Sequence, residues 1–273
     1  MSHPNPCMIE RVPVGGENLA LIAGPCVAES LEMCLHVAER LADVCGRLDV
    51  GFVFKASYDK ANRTSVDGYR GPGPKEGLKW LAEVRRTVGC PVLSDVHEAG
   101  QVGRAADILD CLQIPAFLCR QTDLLVAAGR TGRPVNVKKG QFMAPWDMAH
   151  AVEKVRSTGN GQVLLTERGT SFGYNRLVTD LRSIPAMRRF APVVFDATHS
   201  VQEPSGEGGR SGGQREFAPM LAMASMTAGA DALFIETHPK PDEARSDAAS
   251  QMPLDAIGRL LERCLAVRAA ARD

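Results

Sequence analysis

The sequence predicts an α/β fold, a single (β/α)8 TIM barrel over residues 1–273, with a short N-terminal β-hairpin segment at residues 1–18 that closes the barrel floor. Three observations predict this fold. Eight short apolar runs recur along the chain, amphipathic stretches separate them, and about 250 residues is the usual length for eight β/α units. A doubly wound sheet is the alternative, but it usually has fewer strands and a Gly-rich first turn that this chain lacks.

The apolar runs are the predicted strands. In chain order they are residues 19–24, 51–56, 91–96, 111–115, 134–139, 163–168, 193–199 and 232–238. Helical periodicity in the gaps predicts helices that include residues 29–47, 75–88, 146–158, 216–229 and 254–271. No linker rich in Ser, Gly and Pro divides the chain, so one domain is the simplest interpretation.

Ahead of the first strand, residues 8–21 predict a hairpin that turns at Gly15 and Gly16. Three later connections, residues 57–74, 201–215 and 239–252, exceed the roughly two to six residues usual for a βα loop. The loops that follow the strands of such a barrel form its catalytic face. We therefore expect these long loops to act as lids over a bound ligand.

The composition excludes several classes of function. Lys plus Arg and Asp plus Glu both number 32, so the formal charge is zero and no basic patch predicts nucleic acid binding. The first residues lack the basic and apolar segments of a secretory signal, and no stretch approaches the roughly 20 apolar residues of a membrane span. We expect a cytoplasmic protein with no nucleic acid or membrane partner, whose scattered cysteines are reduced.

Each apolar run ends in a polar residue. In chain order these are Cys26, Lys55, Asp95, Gln113, Lys138, Arg168, His199 and Glu236. Any one of them could be ordinary surface at the point where a strand meets solvent. All eight together are expected to converge on one mouth of the barrel, which predicts an active site there.

A first subset of residues near this mouth is cationic. It comprises Lys55, Lys60, Arg63, Arg120, Lys138 and Arg168. Ammonium and guanidinium groups in a cleft suit phosphate and carboxylate oxygens, so a ligand with more than one anionic group is predicted. Taken singly, Lys60 or Arg120 is more often a solvated charge. The chain has no GxxxxGK[ST] loop and no well-placed GxGxxG, so the nucleotide motifs are absent.

A second subset offers ligands for a metal. A thiol, an imidazole and two carboxylates, from Cys26, His199, Glu236 and Asp247, suit a borderline divalent ion such as zinc, iron(II) or manganese. They belong to units one, seven and eight, which adjoin only because a barrel is closed. Spacing alone equally allows a buried thiol, a hydrogen-bonded histidine and a loop cap at these positions.

Longer strings resemble a known family. They are IAGPCVAES, FKASYDKANRTSVDGYRGPG, LSDVHE, LQIPAFLCRQTDLL, VNVKKGQFMAPWDM, TERGTSFGYNRLVTD, FDATHSVQ and FIETHPKPDEARSDAASQMPL. These blocks resemble those of 3-deoxy-D-manno-octulosonate 8-phosphate synthases over about residues 8–265. The resemblance implies an enzyme that joins phosphoenolpyruvate to D-arabinose 5-phosphate, releases phosphate and makes a sugar acid used in lipopolysaccharide.

The resemblance also implies residue roles. Lys60, Lys138 and Ser57 match residues at the carboxylate end of phosphoenolpyruvate, and Lys55, Gln113, Lys138 and Arg168 match those around its phosphate. Asn62, Arg63 and Thr64 match the segment that grips the aldose phosphate and hydroxyls. In the family this segment reaches across a subunit interface, where Phe117 and Arg120 also match interface residues, which implies a homotetramer. Phe117 and Arg120 are also expected to bind substrate. Lys60, Asp95, Lys138 and His199 are the expected catalytic residues.

The family is divided at position 26. Cysteine is the metal-dependent type and asparagine the metal-independent type, and RSDAASQ also fits the metal-dependent branch. The resemblance therefore implies that Cys26, His199, Glu236 and Asp247 are the metal ligands. This replaces the interpretation of the same positions as a buried thiol, a hydrogen-bonded histidine and a loop cap.

Two other functions compete with this one. The related synthase that uses erythrose 4-phosphate has KPRTS where this chain has KANRTS, with Asn62 offering an amide to a sugar hydroxyl. The second competing function is binding without catalysis, in which the barrel holds a sugar phosphate or a metal but turns over no substrate, since a fold does not guarantee activity. It would be expected to lose charges such as Lys138, Arg168 and Asp95, which are all present.

Overall fold

Eight parallel strands close into a barrel in the computed structural model, which describes residues 5–206 and 211–272. The strands are β1 (Ala20–Gly24), β2 (Gly51–Lys55), β3 (Val92–Asp95), β4 (Cys111–Ile114), β5 (Val135–Lys138), β6 (Val163–Glu167), β7 (Val193–Asp196) and β8 (Ala232–His238). Each pairs with the next, and β8 pairs with both β7 and β1. The predicted (β/α)8 barrel is confirmed, and every strand lies within a predicted apolar run.

Helices cover the outside of the barrel. They are α1 (Leu31–Arg47), α2 (Gly73–Val88), α3 (Ala99–Ala106), α4 (Thr122–Arg130), α5 (Met148–Arg156), α6 (Ser183–Met187), α7 (Ala218–Thr227) and α8 (Ile257–Ala270). The five helices named from the sequence are present. The sequence analysis does not identify the other three, α3, α4 and α6, which have eight, nine and five residues. Helix α5 also has nine residues, but the 3-10 turn Pro145–Asp147 directly before it extends the helical stretch into the range of about 11–18 residues that a periodicity needs.

The barrel has two cores because strand side chains alternate between its faces. Outward-facing residues such as Val137 and Leu165 pack against the helices in one large apolar cluster. Inward-facing residues such as Leu93, Leu164 and Phe234 fill the barrel interior as a second cluster. Inward positions nearer the carboxyl ends of the strands carry the polar groups described below.

An N-terminal hairpin closes the floor of the barrel. Its strands, Cys7–Ile9 and Val12–Val14, pair antiparallel, and their buried side chains join the inner cluster. The predicted hairpin is therefore present. Its turn is Glu10 and Arg11, because Ile9 pairs with Val12.

The predicted turn at Gly15 and Gly16 is wrong, since both glycines follow the second hairpin strand. Gly15 has a φ of 97°, and a Cβ at this position would lie 2.9 Å from the Cγ of Pro192. Glycine is needed at position 15 because the backbone passes close to Pro192 with a positive φ, and not because the chain reverses direction there.

Long connections lie on the carboxyl face of the barrel. The three that the sequence predicts follow β2, β7 and β8, and residues 207–210 of the second lie outside the described residues. A fourth follows β6 and contains a small hairpin of Thr170–Ser171 and Leu177–Val178, which the sequence analysis does not identify.

None of the described helices is long and apolar enough to cross a membrane.

The hairpin provides a test of how the floor is closed. Ile9 is fully buried, whereas its neighbour Met8 is 43% exposed. We expect Ile9→Ala to lower the free energy of unfolding by roughly 2–5 kcal/mol, because it leaves a cavity in the inner cluster. The control Met8→Ala should change it by less than about 0.5 kcal/mol. Urea unfolding measures both, and equal losses would contradict the role of the hairpin as a floor.

Candidate active site

A cavity of about 710 Å³ opens at the carboxyl ends of the strands. Most of the predicted site residues line it: Lys55, Lys60, Asn62, Arg63, Thr64, Asp95, Gln113, Phe117, Lys138, Arg168, His199, Glu236 and Asp247. Cys26 and Ser57 are fully buried and contact residues of this lining. Arg120 is exposed and does not line the cavity. The mouth of the barrel is thus where the predicted residues converge, apart from Arg120.

Three of the four predicted metal ligands form one group, and the fourth, His199, lies beside two of them. Cys26, Glu236 and Asp247 each offer one ligand atom within 4.8 Å of the others. The Nε2 atom of His199 lies 3.7 Å from Oε2 of Glu236 and 3.9 Å from Oδ2 of Asp247. The pairing of β8 with β1 is responsible, because it places Glu236 opposite Gly24, two residues before Cys26.

The cluster fits a borderline divalent ion. Its donors are one sulfur, one imidazole nitrogen and carboxylate oxygens, which is the mixed set such ions accept. Oε2 of Glu236 is buried and has no hydrogen-bond partner among the described residues. A buried carboxylate oxygen without a partner costs free energy unless a cation or a hydrogen-bond donor binds it. This oxygen is therefore free to coordinate a metal ion.

Asp196 orients the histidine, and the sequence analysis did not identify it. Its Oδ2 atom lies 2.7 Å from Nδ1 of His199, and its Oδ1 atom accepts from the His199 backbone N–H at 2.9 Å. A carboxylate on Nδ1 leaves Nε2 free to act as a ligand. The available signal was the Asp in FDATH, a charged residue at the end of an apolar strand.

The loop after β8 is held against Cys26. The Cys26 N–H donates to Oε1 of Gln251 at 3.1 Å, and its sulfur lies 2.8 Å from Oγ of Ser246. Nε2 of Gln251 donates to the Ser246 carbonyl, and Asp247 has a positive φ of 46°. The loop therefore holds Asp247 in a backbone conformation that few residues other than glycine adopt.

The surroundings of Cys26 favour its protonated thiol over the thiolate. Burial, followed by the nearby carboxylates of Asp247 and Glu236, raises the pKa of Cys26 well above its ordinary value. The sulfur accordingly lies 3.2 Å from Oδ2 of Asp247 as a donor. A bound divalent ion would displace this proton, since the thiolate is the form that coordinates metal.

Two lysines of the cavity are paired with buried carboxylates. Nζ of Lys55 donates to Oε1 of Glu236 at 2.5 Å and to the Cys26 carbonyl at 2.9 Å. Nζ of Lys138 donates to Asp196 and lies 3.3 Å from the centre of the Phe234 ring. Each buried positive charge therefore has a counter-charge before any ligand arrives.

Arg168 has free hydrogen-bonding capacity. Its guanidinium donates from Nη2 to Oε1 of Gln202 at 3.1 Å, and its buried Nη1 has no partner among the described residues. Gln202 in turn donates to Oδ1 of Asp247 at 3.3 Å. A buried arginine with an unpaired nitrogen in a cavity wall is a binding group for an anion such as phosphate.

A chain of hydrogen bonds crosses four strands of the barrel. Thr166 donates to Asn136, Asn136 to Gln113, and Gln113 to Oδ1 of Asp95, while Ser57 donates to the other oxygen of Asp95. Asn136 and Thr166 were not predicted, because they lie within the apolar runs rather than at their ends. Their signal is that both occupy inward-facing positions of otherwise apolar strands.

This chain ends on an ionised carboxylate. Burial alone would raise the pKa of Asp95, but Lys55, Lys60 and the donors around it lower its pKa to about 2. At neutral pH Asp95 therefore accepts hydrogen bonds as a carboxylate and does not donate a proton.

The predicted aldose segment lies at the rim of the cavity. Asn62 and Thr64 are exposed there, and Nε of Arg63 donates to the Tyr69 carbonyl at 2.7 Å. The guanidinium of Arg245 stacks 3.4 Å from the centre of the Tyr69 ring. This contact joins the segment to the loop that carries Asp247.

Comparison with known proteins agrees with this geometry. Residues 7–268 match the model of the DAHP synthetase I family. A 2-dehydro-3-deoxyphosphooctonate aldolase of Syntrophotalea carbinolica is 57% identical over 268 residues, which cover 97% of each chain. Its namesake from Geobacter metallireducens is 57% identical over 96% of this chain and 97% of its own. The one from Desulfotalea psychrophila is 55% identical over 94% and 92%. The chain therefore belongs to the DAHP synthetase I family and, within it, to the 2-dehydro-3-deoxyphosphooctonate aldolases.

Proposed function

We propose that this protein condenses phosphoenolpyruvate with D-arabinose 5-phosphate and water, giving 3-deoxy-D-manno-octulosonate 8-phosphate and inorganic phosphate for lipopolysaccharide synthesis. The observation that carries the proposal is the cavity wall formed by Arg168, Lys138 and Lys55 beside the metal-ligand cluster. The name shared by its relatives identifies the sugar product.

Phosphoenolpyruvate occupies the deep end of the cavity in this proposal. Its phosphate is bound by Arg168, Lys138, Lys55 and Gln113, and its carboxylate by Lys60 and Ser57. Nη1 of Arg168 has no partner among the described residues, so it can donate to the phosphate without first breaking another hydrogen bond. Lys55 and Lys138 provide charge that the carboxylates of Glu236 and Asp196 hold in place. Such fixed donors lower the electrostatic cost of bringing two phosphate-bearing substrates together.

The aldose lies between this site and the rim. Asn62, Arg63 and Thr64 bind its hydroxyls and its terminal phosphate, with the aldehyde directed inward. C3 of the enol then forms a bond to the aldehyde carbon, water adds at C2, and the C2–O bond to phosphate breaks. Holding the reactants in line is worth about 7–11 kcal/mol where the alignment is good.

Proton transfer falls to groups around the reacting carbons. Asp95 is a carboxylate at neutral pH and its lowered pKa makes it a weak base, so it orients the attacking water by hydrogen bonding rather than acting as an acid. Lys60, 3.9 Å from Oε1 of Glu236, and His199 lie at the same end of the cavity. Lys138 stabilises the phosphate as it leaves.

We propose that Cys26, His199, Glu236 and Asp247 hold one divalent ion, of the zinc, iron(II) or manganese type. Such an ion polarises a bound oxygen and lowers the pKa of a bound water. The chain's own contribution is to keep the donor atoms converged through Asp196, Ser246 and Gln251.

We also propose a homotetramer in which Arg120 acts across a subunit boundary. Arg120 lies away from the cavity of its own chain, while Phe117 lines that cavity and is 55% exposed. Further exposed aromatic residues, Phe142, Trp146 and Phe172, follow β5 and β6 on the same face of the barrel. An interface on this face would cover them and bring a second chain close to the cavity.

Substrate choice tests the proposed reaction. We expect phosphate release from phosphoenolpyruvate to be fast with D-arabinose 5-phosphate and at least about a hundredfold slower with erythrose 4-phosphate, which presents fewer hydroxyls to Asn62 and its neighbours. Asn62→Pro should reduce this preference. A colorimetric phosphate assay measures the rate of each protein with each aldose. Faster turnover of erythrose 4-phosphate by the wild type would show that the chain is the erythrose 4-phosphate synthase.

Metal removal tests the ligand cluster. EDTA treatment followed by desalting is expected to abolish activity, and added divalent ion should restore it in the wild type but not in Cys26→Ala. The matched control Cys34→Ala, at a buried thiol within α1, should be restored like the wild type. Metal content by elemental analysis provides a second readout. Full activity of the stripped wild type would contradict the proposal.

Acid stability tests the environment of Asp95. Its pKa of about 2 lies below the ordinary value of 3.8, so its contribution to stability is complete above pH 3.8 and is lost as the pH falls toward 2. We expect the wild type to lose roughly 2 kcal/mol more than Asp95→Asn across this window. Asp255→Asn, at a carboxylate that is 90% exposed, is the control and should follow the wild type. Urea unfolding at each pH measures the difference, and parallel curves for wild type and Asp95→Asn would refute it.

A further inference from the structure

A second buried ion pair lies behind the phosphate end of the cavity. Lys139 and Glu167, next to Lys138 and Arg168 in the sequence, are 0% and 1% exposed, with Nζ and Oε1 3.5 Å apart. Because side chains alternate along a strand, Lys138 and Arg168 face the cavity while Lys139 and Glu167 face the helices. The pair therefore sits on the outer face of the barrel, between β5 and β6.

Stability alone does not explain this pair. The outward positions before it, Val135, Val137, Val163 and Leu165, belong to the apolar cluster under the helices. Placing two charges in such a layer costs several kcal/mol of desolvation per ion, and apolar side chains there would often be as stable. Oε2 of Glu167 also has no hydrogen-bond partner among the described residues. The pair thus calls for a role besides packing.

The contacts of the pair surround one turn of the chain. Oε1 of Glu167 accepts from the N–H of Arg168 at 3.1 Å and from that of Gly169 at 2.8 Å. Nζ of Lys139 donates to the Gly169 carbonyl at 3.1 Å and to Oγ1 of Thr170 at 3.1 Å. Gly169 has a φ of 92°, so the chain leaves β6 in a conformation that needs glycine. The ion pair holds this turn by its backbone groups.

Arg168 is the residue that this turn places. Its backbone N–H is bound from the outer face, while its guanidinium reaches the cavity and keeps Nη1 unpaired. On the partner strand, Lys139 follows directly after Lys138, and the Lys139 N–H donates to the Thr166 carbonyl at 2.8 Å. The pair thus fixes the ends of the two strands that carry the phosphate-binding cations.

We propose that Lys139 and Glu167 are positioning residues for the phosphate site, which set the placement of Arg168 from outside the barrel. The substrate named in this inference rests on the proposed function, whereas the anion site itself does not. The pair does not touch the ligand. Its loss should weaken binding of phosphate groups at Arg168 and leave the aldose segment unaffected.

Separating positioning from stability requires single and paired variants. Lys139→Met leaves Glu167 buried without a counter-charge and is expected to lower the melting temperature. Lys139→Met/Glu167→Met removes both charges and the acceptor of the Arg168 and Gly169 N–H groups, and it should recover most of the lost melting temperature. The control Asp110→Asn removes a buried carboxylate that accepts from the N–H of Val92 at 2.9 Å, at the amino ends of the strands. It should lower the melting temperature without affecting ligand binding.

Two readouts report on the site. Inorganic phosphate binding, measured by calorimetry, and the KM for phosphoenolpyruvate should both weaken roughly ten- to a hundredfold in the double variant, with the KM for D-arabinose 5-phosphate within about twofold of wild type. Wild-type phosphate affinity in the stable double variant would overturn the inference, and so would a wild type that does not bind phosphate. If the wild type binds phosphate but shows no turnover, the proposed function fails while the phosphate comparison still decides the role of the pair.

Discussion

Closure of the barrel is the constraint on which the site depends. The hydrogen bonds between β8 and β1 bring Glu236 opposite Gly24, and the chain then turns to present Cys26 to the same space. Pairing of β7 with β8 brings the segment that carries His199 to the other side of Glu236. Residues more than 200 positions apart in the sequence become a ligand cluster only because the last strand meets the first. A doubly wound sheet would place these strands on opposite edges or apart.

The second organising feature is the balance of buried charge. Phosphoenolpyruvate and a sugar phosphate together demand several cations, and cations cannot be buried alone without a large cost in solvation. Carboxylates balance the two buried lysines of the cavity, Glu236 for Lys55 and Asp196 for Lys138, and Glu167 balances Lys139 on the outer face of the barrel. Glu236 is also a proposed metal ligand, and Asp196 contacts the proposed ligand His199. The proposed phosphate and metal sites therefore share the same buried network.

Strand order, the closed barrel and the mouth where most of the predicted site residues meet could be predicted, because apolar runs are long enough to recognise and each ends in a polar residue. Asp196, Asn136, Lys139 and Glu167 lie within or beside the same runs, and only the alternation of side chains and a three-dimensional partner reveal what they do. The predicted position of the hairpin turn was wrong because two adjacent glycines occur both where a chain reverses direction and where its backbone packs closely against another residue. Arg120 illustrates a different limit, since its predicted role lies in an assembly that one chain does not contain.

Near Arg168 the two faces of the barrel wall have different tasks. The cavity face binds the ligand, and the outer face holds the backbone that places Arg168. One face needs donors that are free to meet a ligand, so Arg168 keeps a nitrogen unpaired. The same freedom leaves the side chain poorly held from within the cavity, where its one protein partner is Gln202 among the described residues. Restraint must then come from the backbone, and the opposite face is where backbone N–H and carbonyl groups can be bound without competing for the ligand. A charged pair suits this task better than apolar packing, because Glu167 accepts from the turn while Lys139 donates to it. A buried pair that costs stability is thereby retained at a position where it sets the geometry of the site.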